Sequence, residues 1–238
     1  MMHTLKYLIL VAVLLSAVFT VTISADVELV DTDTETLGNW VGTYGENGAI
    51  VFIAAGEGVQ HGGAVADEII EGDIIQWSAV PSSRWVWENP ADEAGESALL
   101  SIEIPDRYIS GCAFSGDWIF TLEVELDEYF VAGYFLSGEV GGGGAGRSQE
   151  IWAYQGDDRP DEDPIDVRGF HHASKGGEPR YYVWKVDGPE PFHIDFHTLA
   201  VNAVISGIFV DAVLQPVEPA GKLTATWGGL KMRQKASE

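Results

Sequence analysis

Between Asp117 and Leu126 an apolar side chain recurs at every second position. Trp118, Phe120, Leu122, Val124 and Leu126 fall on one side, and Thr121, Glu123 and Glu125 on the other. A period of two is that of a β-strand with one buried face; a helix would scatter these residues around its axis. The same alternation predicts strands at residues 49–54, 69–77, 84–88, 98–104, 129–136, 148–155, 180–186, 192–198 and 203–213. Asp127 and Glu128 separate the strand ending at Leu126 from the one starting at Tyr129, a gap that predicts a hairpin. No segment after residue 25 combines helical spacing with caps. About ten strands with Gly- and Asp-rich breaks predict an all-β sandwich or barrel. The breaks at 141–146 (GGGGAG), 156–166 and 172–179 are expected loops.

The two ends of the chain differ from the middle. Lys6 precedes an apolar stretch, 7–21, interrupted only by Ser16 and Thr20, and small residues Ser24 and Ala25 stand before Asp26. Residues 1–25 therefore read as an export signal, too short to span a membrane comfortably; the alternative is a retained anchor. Export places the protein outside the cytoplasm, and after signal cleavage it is not an integral membrane protein. Residues 26–215 form the expected β domain. Pro216 and Pro219 open a linker to a tail, 216–238, where Lys222, Lys231, Arg233 and Lys235 outnumber Glu218 and Glu238. The formal charge of the whole chain is −24, and that of residues 26–215 alone is −27. Such a balance repels nucleic acid and anionic membrane surfaces. A single cysteine, Cys112, excludes an internal disulfide, and its apolar neighbours predict a buried thiol.

Three groups of residues have chemistry worth locating. Glycan binding needs flat aromatic faces with planar polar side chains beside them. Arg84-Trp85-Val86-Trp87-Glu88-Asn89 offers both if Trp85 and Trp87 share an exposed strand face, with Arg84, Glu88 and Asn89 as donors and acceptors. Core tryptophans are the competing reading. Clustered carboxylates at Asp31 and Asp33, and at Asp157, Asp158 and Asp161, are candidate ligands for structural calcium, without EF-hand spacing. A solvated acidic surface is the alternative. His193, Asp195 and His197 project from one face of their strand while Ile194 and Phe196 enter the core, which gives ligand types suited to a transition metal. The outer two lie about 14 Å apart along a strand, so one ion would need a third ligand such as His171 or His172. No nucleophile elbow, zinc-protease helix or phosphate loop is present in the sequence, and a binding protein is expected rather than an enzyme.

Several short islands occur together in order. They are Gly38-Asn39-Trp40 with Gly42 and Tyr44-Gly45; Gln76-Trp77; Gly146-Arg147-Ser148-Gln149 with Glu150-Ile151; and the run from Asn202 through Gly207 to Asp211. In this order the chain resembles the galactose-binding-like jelly-roll modules of secreted bacterial proteins, over residues 31–213. The resemblance implies a jelly-roll sandwich and a carbohydrate or cell-surface partner. The chain departs from that pattern in the plain glycines of 141–146 and in the long acidic stretch after Tyr154. Physically, Gly38, Gly42 and Gly45 would let the chain double back around Trp40 and Tyr44, and Arg147 and Asp211 are a possible charge pair. An adhesion protein of the envelope and a small metal-dependent enzyme on the His193 face are the competing functions.

Overall fold

A computed structural model describes residues 26–52, 67–88, 98–104, 106–136, 147–157, 159–160, 165–170 and 179–213. The expected export signal at 1–25, the GGGGAG stretch, the basic tail, and Asn89, Asp158, Asp161, His171 and His172 lie outside the described residues.

Among the described residues there is no helix, and the named strands pair antiparallel. The strands are β1 (Asp26–Asp33), β2 (Gly48–Val51), β3 (Glu68–Ile70), β4 (Ile74–Val80) and β5 (Ser83–Glu88). They continue with β6 (Leu99–Leu100), β7 (Tyr108–Ser115), β8 (Trp118–Val124), β9 (Glu128–Phe135) and β10 (Arg147–Gln155). The last are β11 (Ile165–Phe170), β12 (Arg180–Asp187), β13 (Phe192–Ala200), β14 (Ala203–Ile205) and β15 (Gly207–Ala212). A six-stranded sheet has the order β1-β12-β9-β15-β2-β3, a five-stranded sheet β11-β10-β13-β8-β4, and a four-stranded sheet β14-β7-β5.

The two large sheets meet in sandwich fashion. Val131, Phe135, Trp184 and Ile208 of the first share one buried cluster with Phe120, Leu122, Phe192, Ile194 and Phe196 of the second. Rings cross the interface directly, with Trp184 5.9 Å from Phe192 and Phe135 6.4 Å from Phe196 between centroids. Alternate residues of the six-stranded sheet point the other way, and they are buried too. Ala132, Tyr134, Tyr181, Val183 and Phe209 pack with Trp40, Val86, Leu99 and Ile109 in a second cluster. Cover on both faces explains the unbroken apolar runs of β9 and β15. By contrast β8 and β13 keep one wet face and show clean alternation, as their sequences predict.

Several expectations need correction. The strands flanking Asp127 do not form a hairpin, because β8 belongs to the five-stranded sheet and β9 to the six-stranded one. Both need their apolar faces in the shared core, so the link between them crosses from one sheet to the other. Asp127 O accepts from Gly188 N and Glu125 N donates to Asp73 O, which ties this crossing to neighbouring turns. The strand expected at 69–77 breaks into β3 and β4 at Gly72 (φ 51°), where an added Cβ would lie 2.1 Å from Asn47 O. Only β6 is strand within 98–104. The run 203–213 divides at Ser206, where the chain passes from the small sheet to the six-stranded one. The acidic segment at Asp31 and Asp33 belongs to β1, an edge strand paired with β12, and the loop expected to reach residue 166 ends at β11.

Candidate functional site

The outer face of the five-stranded sheet is built by register. Across the strands Val80 pairs with Ile119, Ile119 with Asp195, and Asp195 with Trp152. The neighbouring row runs Ser78, Thr121, His193, Tyr154. Because Ile194, Phe196, Phe120 and Leu122 fill the core, period two forces His193, Asp195, Ile119 and Thr121 outward. Strand spacing of about 4.8 Å spreads each row over about 14 Å, the scale of an extended ligand rather than a single ion.

Side chains on this face form a connected polar and aromatic surface. The Arg159 guanidinium lies over the Trp152 ring, 4.3 Å from its centroid, and its Nη1 donates to Asp195 Oδ2 at 2.9 Å. The rings of Tyr154 and His193 stack at 5.1 Å, and His193 Nδ1 is 3.0 Å from Thr121 Oγ1. Burial holds the His193 pKa below its usual value against the opposing pull of Asp157, which favours the neutral ring. Burial and the Asp195 charge raise the Tyr154 pKa, with Arg159 acting against them. At the end of the face His197 Nδ1 lies 3.1 Å from Asp117, which also accepts from Thr198 N. That amide bond, more than His197, keeps the Asp117 carboxyl below its usual range despite the effect of desolvation.

The residues expected to form a tryptophan platform are separated. Trp85 is 37% exposed, whereas Trp87 is 6% exposed and part of the core. A register shift between Val86 and Glu88 makes Trp87 the extra residue of a bulge on β5, which breaks the alternation that would have put both rings on one face. Arg84 is engaged too: Nε and Nη2 donate to Asp67 at 2.6 and 2.8 Å, and its guanidinium caps Phe52 at 4.8 Å. Glu88 ends β5.

The candidate metal ligands also go to separate partners. His193, Asp195 and His197 share a face as expected, yet they contact Thr121, Arg159 and Asp117 respectively. Asp33 Oδ1 accepts from the Glu35 and Thr36 amides, and Oδ2 from the Thr36 and Tyr44 hydroxyls, while Asp31 accepts from Thr32 N. Asp157 is exposed. Among the described residues no group of three His, Cys, Asp or Glu side chains stands in metal-binding geometry.

A second aromatic assembly sits at one end of the six-stranded sheet. Tyr181 is stacked between Tyr44 and Tyr134, with centroids at 4.5 and 4.4 Å, and Trp40 lies 4.9 Å from Phe209. Its polar atoms are satisfied internally: Trp40 Nε1 donates to Leu100 O, Tyr181 OH to Leu37 O, and Tyr44 OH to Asp33. Gly42 and Gly45 take left-handed backbone as expected, but Leu37 (φ 52°) does so in place of Gly38. Asp211 accepts from Gly45 N and Glu46 N at 3.0 and 2.8 Å and so fastens this loop to β15. A cleft of about 590 Å³ opens beside it, bounded by Val41, Glu46, Ile70 and Ile102. Cys112 is buried, as its neighbours predict.

No protein-family model, curated protein or solved structure matches the chain.

Proposed function

We propose that the chain is an exported, non-catalytic glycan-binding sandwich of jelly-roll, galactose-binding-like type. Its ligand lies on the outer face of the five-stranded sheet. The observation that carries this reading is the Arg159–Asp195 pair beside Trp152. The pair shows that Asp195 takes a hydrogen-bond donor set against the Trp152 ring, and a sugar that lies on the indole can place one of its own donors there. An indole supplies the flat apolar surface that the C–H face of a pyranose needs. His193 and Thr121 continue the polar row on a rigid strand scaffold, so little ordering is required on binding. Aromatic and polar groups together at a wet surface are what distinguish this face from the buried assembly around Tyr181.

Affinity electrophoresis in gels containing neutral and charged polysaccharides tests the reading. The native chain should be retarded by at least one polymer, and Trp152→Ala should lose about tenfold in affinity, equivalent to about 1.4 kcal/mol, with its melting temperature little changed. Equal retardation of the native chain and Trp152→Ala would remove this face from consideration.

A further inference from the structure

We infer that Arg159 is an internal stand-in for the ligand's cation, and that the face therefore selects a glycan bearing free amino groups. The inference rests on the glycan reading above and narrows it to one class of sugar.

The site's own side chains show what it binds well. Its indole surface is covered by a planar cation at 4.3 Å, and that cation is paired with Asp195 at 2.9 Å. A pyranose cannot stack on the side of Trp152 that Arg159 covers, so binding there displaces the guanidinium. A neutral sugar would give Asp195 a hydroxyl donor but would leave its charge unmatched. A protonated amino sugar replaces both contacts: its ring covers the indole and its ammonium pairs with Asp195. Long-range electrostatics acts in the same direction. Glu123, Glu150, Asp117 and Asp157 surround the face, and the whole chain carries −24, which concentrates cations and repels acidic polysaccharides.

Arg159 is placed so that it can leave. Its side chain is 47% exposed, and it sits beyond the end of β10, past Gly156, rather than in the sheet. A cation–π contact made by a half-exposed guanidinium and an ion pair with the 17%-exposed Asp195 together hold it by about tenfold in an equilibrium constant. A ligand making both contacts itself overcomes that readily. Removing the arginine should therefore tighten binding, the opposite of what happens when a ligand-contacting residue is removed.

Calorimetry with two tetrasaccharides of the same β-1,4 backbone separates the possibilities: one of glucosamine, largely protonated at pH 6, and one of glucose. The glucosamine tetramer should bind about tenfold more tightly at low salt. Arg159→Ala should tighten it severalfold, and Asp195→Asn should abolish the preference while leaving the melting temperature within a few degrees. Trp152→Ala should weaken both sugars, which separates site binding from diffuse attraction of a cation to an acidic protein. Equal affinities for the two sugars, or weaker binding after Arg159→Ala, overturns the inference and leaves the glycan reading standing if the glucose tetramer binds through Trp152. Binding of neither tetramer by the native chain or by Arg159→Ala overturns the amino-sugar assignment. If retardation by every polysaccharide is also absent, the glycan reading falls with it.

Discussion

The assembly around Tyr181 and the face around Trp152 use the same materials, aromatic rings next to carboxylates, to opposite ends. At Tyr181 the rings stack on one another and two hydroxyls donate inward, Tyr44 to Asp33 and Tyr181 to the Leu37 carbonyl. At Trp152 the ring's partner is a half-exposed arginine, and the carboxylate it holds stands on an outer sheet face. Aromatic content by itself therefore says little about binding. What matters is whether the groups beside the rings are locked in the core, as at Tyr181, or held by a half-exposed partner that a ligand can replace, as at Trp152.

Three perturbations sharpen the contrast, and the largest belongs to the buried assembly. Tyr181→Ala should destabilise the fold by about 3–5 kcal/mol, measured by chemical denaturation, because it empties a fully buried site between two rings. Glycan retardation of the fraction that remains folded should be unchanged; if it falls, the two regions are not independent. A smaller effect is expected at Asp33. Burial raises its pKa, but bonds from the Thr36 and Tyr44 hydroxyls and from the Thr36 and Glu35 amides outweigh this and hold it low. Asp33→Ala should cost about 1–2 kcal/mol at pH 7. Since the folded value is depressed, that stabilisation is complete above the unfolded value of about 3.9 and is lost as pH falls through the folded value. A native-minus-mutant stability difference that stays constant down to pH 2 would contradict the assignment.

The smallest effect lies on the open face. The His193 pKa is depressed by burial, so its contribution to stability is present above the ordinary value of about 6.5 and is lost as pH falls through the folded value. NMR titration should place its midpoint below 6.5, with no change in melting temperature between pH 7 and 8. A midpoint above about 6.5 would show that Asp157 dominates over burial, and the face would then charge more readily than described.

Much of the fold was legible because local pattern and tertiary burial agree there. The alternation from Trp118 to Val124 and the division of β13 into Ile194 and Phe196 inside, His193 and Asp195 outside, are both properties of a two-residue repeat. Pairing partners were less legible. The two residues between Leu126 and Tyr129 fit a hairpin, and only the shared core reveals a crossing between sheets. The acidic β1 has no strong strand pattern of its own; pairing with β12 makes it a strand. At the site, the outward placement of His193, Asp195 and His197 was readable, but their three separate partners were not. Trp85 and Trp87 have the two-residue spacing of a shared strand face, yet one bulged residue is enough to bury the second. The signal for Trp152 was equally available. Glu150, Trp152 and Tyr154 alternate with Ile151 and Ala153, so an inward Ile151 predicts an outward Trp152. Arg159 could not be found this way, because it reaches Trp152 from beyond the end of the strand.

The position of β15 also bears on how the molecule comes into being. It is the last strand among the described residues, yet it lies in the interior of the six-stranded sheet, between β9 and β2. Until Gly207 to Ala212 have left the ribosome, β2 and β3 cannot join the strands on the far side, and β9 has an open edge. Gly48–Val51 and Glu68–Ile70 must wait for Gly207–Ala212. In a nascent chain of this design the six-stranded sheet stays unfinished, and open to chaperones, until β15 has emerged.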